Sequence, residues 1–243
     1  MIDTLSKADI KRIRSLKLKK NRDDLGWFMA EGEKLIRQFV VCGLEPILVV
    51  STAEHADYIH LKKTDAKTFK EISQLDHPSG LLAIFKKPSF PELDTIQRLE
   101  FFFEDIQDPG NFGTILRTAS WFGLQKIYCS LLSVDRFNSK VVQASMGSVA
   151  LVEVEETVAA DIIARWKVEN RRIYAADMHG IPYKEIVADL RPMGIVLGNE
   201  GKGISSFVRK EIEDSIQIPA HKNSSMESLN VSIAASILMS HFS

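Results

Sequence analysis

A chain of 243 residues with 45% hydrophobic composition is long enough to bury a core, as one large domain or two modest ones. The first twenty residues lack the apolar core of a secretion signal and no later apolar run approaches membrane-spanning length, so a soluble cytoplasmic protein is expected. Cys42 and Cys129 are isolated thiols without C-x-x-C spacing, so neither a disulfide framework nor a zinc site is suggested, and His55, His60, His77, His179, His221 and His241 show no metal-ligand spacing, so no metal is expected.

The net charge of −1 hides an asymmetry. Residues 1–22 carry Lys7, Lys11, Arg12, Arg14, Lys17, Lys19, Lys20 and Arg22 against Asp3 and Asp9, a local +6 that leaves −7 for the remainder. A basic amino-terminal helix from Ser6 to about Asn21 is predicted, either a solvated face or a phosphate-contacting arm. A strand at Trp27–Ala30 and a helix from Glu31 follow, then buried strands at Ile47–Ser51 and Leu81–Phe85 with a helix at Thr64–Leu75 between them. These make a small α/β domain over residues 1–85. Lys86-Lys-Pro88-Ser-Phe-Pro91 changes the composition, so 86–93 is the predicted linker to a second domain at 94–243.

From Leu99 the rhythm is regular. Strands are predicted at Phe101–Glu104, Lys126–Cys129, Val149–Val154, Arg172–Ala176, Gly194–Leu197 and Ser215–Ile218. Helices are predicted at Asn111–Phe122, near Lys140–Met146, at Ala159–Val168, around Tyr183–Val187, at Ser205–Glu211 and at Leu229–Met239. Such alternation implies a mostly parallel sheet with helices on both faces, whose ligands bind beyond the carboxyl ends of the strands.

Three loops stand where such a site would form: Asp108–Ala119, Ile195–Gly203 and Ile218–Ala235. In the middle one, Gly198, Gly201 and Gly203 let backbone bend and approach a ligand without Cβ interference. It is no Walker A loop, which needs four residues between its glycines and Ser or Thr after its Lys. It is no dinucleotide fingerprint either, since no third glycine follows Gly201-Lys-Gly203 in place.

Asn111-Phe-Gly-Thr-Ile-Leu-Arg117-Thr-Ala119, Leu197-Gly-Asn-Glu-Gly-Lys-Gly203 and Glu227-Ser-Leu-Asn-Val-Ser-Ile-Ala234, in this order, resemble the three motifs of the SpoU-type, TrmH-like RNA ribose 2′-O-methyltransferases of the SPOUT superfamily. One departure is the loop between Pro219 and Glu227, which the family usually makes shorter and with a glycine. Phe28–Lys34 resembles, more weakly, the opening of the family's amino-terminal substrate-recognition module. The resemblance implies a trefoil knot, S-adenosylmethionine as cofactor, a homodimer paired through the carboxyl-terminal domain, and RNA as substrate, ribosomal RNA ahead of transfer RNA. Transfer RNA, a non-catalytic RNA-binding protein and a small-molecule methyltransferase are the competing readings.

Methyl transfer to a ribose 2′-hydroxyl is an in-line displacement by a poor acid, so the site must align donor and acceptor and stabilise alkoxide charge. The resemblance assigns catalysis to Arg117, Asn111, Glu200 and Asn230 and gives Arg117 the activation of the 2′-hydroxyl; because guanidinium rarely loses its proton, Arg117 is expected instead to bind a phosphate or ribose oxygen of the reacting nucleotide and to stabilise the alkoxide. Arg117 is expected about 9 Å along the helix from Asn111, on roughly the same side. Cofactor contacts are expected at Leu197, Gly198, Glu200, Gly201, Ile218, Pro219, Ser228, Leu229 and Asn230. Helix capping is the plainer role for Asn111, Ser228 and Asn230, and a helix-start charge for Glu200.

Overall fold

Ser6 and Asp9 open the first helix reciprocally: the Ser6 hydroxyl accepts from the Asp9 amide at 3.1 Å, and the Asp9 carboxylate accepts from the Ser6 amide at 3.1 Å. In the computed structural model, which describes residues 3–53, 58–92, 96–187, 191–212 and 214–243, strand β1 (Asp3–Thr4) precedes that helix, α1 (Lys7–Ser15). Next come α2 (Lys19–Leu25), β2 (Trp27–Glu31), α3 (Glu33–Val41), β3 (Pro46–Ser51), β4 (Leu61–Lys63), α4 (Ala66–Ile72) and β5 (Leu81–Lys86). The chain continues through β6 (Leu99–Phe103), α5 (Pro109–Trp121), β7 (Lys126–Cys129), α6 (Ser139–Ser145), a 3-10 turn at Ser148–Ala150, β8 (Glu153–Glu156) and α7 (Ala159–Val168). It ends with β9 (Arg172–Pro182), a 3-10 turn at Tyr183–Glu185, β10 (Met193–Leu197), α8 (Ser206–Glu211), β11 (Ser215–Gln217) and α9 (Val231–Phe242). His55 and Leu93, the far end of the predicted linker, lie outside the described residues.

One unit is Met1–Phe90 with Asp135–Leu151. Its sheet runs β1-β4-β3-β5-β2, parallel between β1, β4 and β3 and antiparallel where β5 meets β3 and β2. β1 and β4 escape sequence reading because they are two and three residues long and polar, without an apolar run. The predicted amino-terminal helix is two helices. At the break Arg22 donates to the carbonyls of Leu16 and Lys17 at 2.8 and 3.0 Å, and Asn21 donates to that of Ser15 at 2.9 Å. Arg22 is thus only 5% exposed and also ion-pairs with Asp135, so it leaves the basic arm and becomes a structural residue. Lys7, Lys11, Arg12, Arg14, Lys17, Lys19 and Lys20 stay exposed.

The same ion pair explains why residues 135–151, expected in the second domain, cluster with the first. Phe137 packs on Phe28 with ring centroids 5.0 Å apart, and α6 buries Val141 and Val142. The strand predicted at Val149–Val154 is consequently divided: Val149 lies in the 3-10 turn of the first unit, and β8 begins only at Glu153.

The second unit, Pro91–Val134 with Val152–Ser243, holds a six-stranded sheet in the order β11-β9-β10-β6-β7-β8, parallel at every pairing. Phe101, Phe102 and Phe103 on β6 are all fully buried, as a strand covered on both faces requires. Phe102, Ala175 and Val196 pack with Ile162, Ile163 and Trp166 of α7 and Val208 of α8, while α5 packs on α9. Gly194 is needed here, because a Cβ would meet the Trp166 ring at 2.5 Å. Near the amino end of β6, the buried Glu100 accepts from Trp166 Nε1 at 2.6 Å and pairs with Arg165 at 2.6 Å and Arg171 at 2.9 Å. Among the described residues no helix is long and apolar enough to cross a membrane.

Replacing Arg22 with Ala strands the Asp135 carboxylate in the interior and is expected to destabilise the amino-terminal unit by about 3–5 kcal/mol. Urea unfolding followed by circular dichroism measures this; a loss below about 1 kcal/mol would mean that the pair behaves as a solvated one.

Candidate functional site

Because the second sheet is parallel, the ends of β6, β10 and β11 all open onto one edge, and the three motif loops leave from them. Asp108 caps α5, its Oδ1 accepting from the Asn111 amide at 2.7 Å, and Pro109 takes the first helical position where no amide donor is needed. Asn111 is therefore not the cap. It lies one turn in, with its side chain available to reach across.

Asn111 Nδ2 donates to Glu200 Oε1 at 2.9 Å, and Asn111 Oδ1 accepts from Asn230 Nδ2 at 2.9 Å. Asn230 caps α9, with its Oδ1 accepting from the Ser232 amide at 2.9 Å and the Ser232 hydroxyl at 2.6 Å. A carboxylate only accepts, so Asn111 must present its amide nitrogen to Glu200 and its oxygen to Asn230. The Ser232 amide only donates and fixes Asn230 the same way, so both ends of the chain demand one orientation for each amide. Every donor points toward Glu200, whose second oxygen receives no hydrogen bond among the described residues. Glu200 lies six residues before α8, so it is no helix-start charge. A further link, Thr118 Oγ1 to Ser236 Oγ at 3.1 Å, holds α5 to α9 behind this row.

The glycine loop closes on itself. The amides of Asn199 and Gly203 donate to each other's carbonyls at 3.1 and 2.9 Å, which brings the chain back so tightly that a Cβ on Gly198 would lie 2.3 Å from the Gly203 carbonyl carbon. Asn199, overlooked in the sequence, is the loop's anchor. Its Nδ2 donates to the Asp105 carbonyl at 2.7 Å, and its Oδ1 accepts from the Gly201 and Lys202 amides at 2.9 and 3.0 Å. The amide of Gly201, a residue expected to contact cofactor, is thereby used internally, while the Glu200 amide makes no hydrogen bond among the described residues. The signal that could have found Asn199 is its position between Gly198 and Glu200, where a short amide side chain mimics a turn.

Arg117 is exposed and makes no hydrogen bond or ion pair with a described residue. Six residues amount to about 600° of helical rotation, so Arg117 stands about a third of a turn around α5 from Asn111 and not on the same side. Leu197 is 2% exposed, with its carbonyl accepting from the Glu104 amide at 2.8 Å. Ile218 is half-buried, whereas Pro219, Ser228, Leu229 and Asn230 are exposed. Between them, the loop without glycine turns on side chains and backbone: His221 Nδ1 accepts from the Asn223 amide at 3.2 Å, its carbonyl from the Ser224 amide at 2.7 Å, and Ser224 Oγ from the Met226 amide at 3.2 Å. Among the described residues no group of three or more His, Cys, Asp or Glu could hold a metal.

Residues 98–240 match the SpoU rRNA methylase family, and residues 7–83 match the MRM3-like substrate binding domain. The 23S rRNA (guanosine(2553)-2′-O)-methyltransferase RlmP of Bacillus subtilis is 26% identical over 99% of this chain and 98% of its own. Among solved structures, a protein of Porphyromonas gingivalis assigned to the TrmH family of RNA methyltransferases is 36% identical, with a TM-score of 0.83 over 98% of both chains. An AdoMet-bound rRNA methyltransferase of Sinorhizobium meliloti is 27% identical, with a TM-score of 0.80 over 98% of this chain and 95% of that one.

Gly198→Ala is expected to cost about 1–3 kcal/mol through the clash with Gly203. Gly201→Ala, whose Cβ would meet only Asn199 Oδ1 at 3.6 Å, should stay within about 0.5 kcal/mol. Denaturant titration of both variants checks the contrast; equal stabilities would mean that the loop relaxes freely.

Proposed function

The chain belongs to the SpoU rRNA methylase family, and on that premise we propose that the row Asn230–Asn111–Glu200, together with Arg117, is the working site of its activity. That activity is S-adenosylmethionine-dependent methylation of a ribose 2′-hydroxyl in RNA, with ribosomal RNA as the substrate class. The observation that supports the site is the pair of 2.9 Å hydrogen bonds through Asn111, which join residues of all three motif loops.

The residues present fit the cofactor. The Glu200 amide has no partner among the described residues, a Cβ on Gly201 would meet only Asn199 Oδ1 at 3.6 Å, and Ile218 and Leu229 leave apolar surface exposed, Leu229 at 49%. Gly198, Gly201, Pro219, Ser228 and the backbone at Leu197 would hold it along this loop edge. When bound, its sulfonium supplies the electrophilic methyl group. Arg117, with five donors uncommitted to any described residue, would hold a phosphate or ribose oxygen of the substrate and stabilise the charge that grows on the 2′-oxygen. Guanidinium does not give up its proton at working pH, so a phosphate oxygen or water takes the proton from the hydroxyl. Glu200 and Asn230 orient the nucleotide through Asn111.

The reading extends to the rest of the chain. The amino-terminal unit recognises RNA, supported by the match over residues 7–83 and by seven exposed cations on and around α1. A trefoil knot is supported by β10 lying between β6 and β9 while the chain then passes to β11 on the far side of β9 and returns α9 to α5. Pairing of two copies through the carboxyl-terminal unit is supported by the apolar Leu229 and Ile233, about half exposed before and on α9. The site of action is the cytoplasm.

Arg117→Ala is expected to lower methyl transfer to unmodified ribosomal RNA by about 10²–10³-fold while calorimetric S-adenosylmethionine binding stays near wild type. Full retained activity would remove Arg117 from the mechanism. Mapping ribose methylation in RNA from a deletion strain identifies the nucleotide; a strain that keeps every ribosomal mark would contradict the ribosomal substrate.

A further inference from the structure

A cavity of about 240 Å³ lies within the amino-terminal unit, between α1 and its sheet. Buried Ile13 and Ile84 form its floor, half-buried Trp27 and Leu48 its wall, and Arg12, Asp9 and Lys62 its polar rim. It falls below the roughly 300–1,000 Å³ of pockets that take drug-sized ligands, so its occupant is about one planar ring system.

The chemistry of the lining narrows the choice. The Arg12 guanidinium stands over the Trp27 ring, 5.5 Å from its centroid, so an aromatic face and a planar cation meet at one opening. Asp9 receives the Ser6 amide at 3.1 Å, the Ser6 hydroxyl at 2.7 Å and Lys62 Nζ at 2.8 Å, all on Oδ2. Its Oδ1 accepts nothing from the described residues. The hydrogen bond from Lys62 holds the Asp9 carboxyl below its ordinary range, so the rim keeps an ionised acceptor at neutral pH. On α1 and its C-cap the cavity is lined by Asp9, Arg12, Ile13 and Leu16, whereas Lys7, Lys11 and Arg14 stand on the opposite, exposed face of the helix. An apolar slot with a stacking face, an acceptor for a base N–H and the Arg12 guanidinium at its rim is the combination that binds an unstacked base.

We propose that this cavity receives one unstacked base of the RNA substrate, stacked against Trp27 and Arg12 with its N–H edge toward Asp9. The proposal rests on the reading of the protein as an RNA methyltransferase and adds to it a recognition subsite within the amino-terminal unit.

The test is steady-state methylation of in vitro transcribed, unmodified ribosomal RNA by the full chain. Trp27→Ala is expected to raise the KM for RNA at least about fivefold, the effect falling on KM more than on kcat, and Trp27→Phe, which keeps a stacking ring, should restore most of it. Trp27 is half-buried, so thermal melting accompanies the measurement, and Arg12→Ala, at an exposed position of α1, should raise KM in the same direction without loss of melting temperature. Wild-type KM values in Trp27→Ala and Arg12→Ala, or a Trp27→Ala defect that Phe does not repair, overturn the subsite and leave the methyltransferase reading standing. Absence of methyl transfer to RNA by the wild-type chain overturns both.

Discussion

The candidate site depends on the fact that Glu200 can only accept hydrogen bonds. That single restriction turns the Asn111 amide toward it, which in turn sets Asn230, whose own oxygen is already claimed by the start of α9. Three loops that leave different strands are thereby locked to one another by side chains with no freedom to flip. The row ends on a carboxylate whose second oxygen receives no hydrogen bond among the described residues, held in place by the amides behind it.

Two carboxylates at opposite edges of the same sheet illustrate how burial separates structure from chemistry. Glu100 is buried near the amino end of β6 and fully engaged by Arg165, Arg171 and Trp166, so it stabilises packing and has nothing left to offer a ligand. Glu200 lies beyond the carboxyl end of β10, exposed and half engaged. Arg22 and Arg117 divide the same way. Arg22 satisfies two carbonyls and Asp135 in the interior, whereas Arg117 is exposed and uncommitted to any described residue. In each pair the residue with unspent hydrogen-bonding capacity is the one that belongs to a motif segment.

The glycine-rich loop shows how function and folding share residues. Gly198 is small because the chain returns against it, and Asn199 spends its amide on the backbone of its own loop and on the Asp105 carbonyl. What remains unpaired or exposed is narrow: the Glu200 amide, which has no partner among the described residues, and the apolar surfaces of Ile218 and Leu229. The loop that follows, with no glycine, turns instead on His221 and Ser224, whose side chains and backbone satisfy amides that an ordinary tight turn would pair with carbonyls.

The parallel sheet and its helices were legible because their signal is local: apolar runs such as Leu99–Phe103 and capped amphipathic segments such as Pro109–Trp121 carry their periodicity within one element. Spacing alone also drew attention to the three motif loops. The sequence could not reveal that Asn111 bridges rather than caps, that Arg22 is an interior residue, or that 135–151 packs with the amino-terminal elements. Nor could it show that strands as short as β1 and β4 would form, since those exist only through pairing with a neighbour. The Asn111 bridge, the Arg22–Asp135 pair and the pairing of β1 with β4 were decided by partners about 60 to 120 residues away, because a hydrogen bond or a buried charge is satisfied by whatever the fold brings beside it, and periodicity along the chain holds no record of that neighbour.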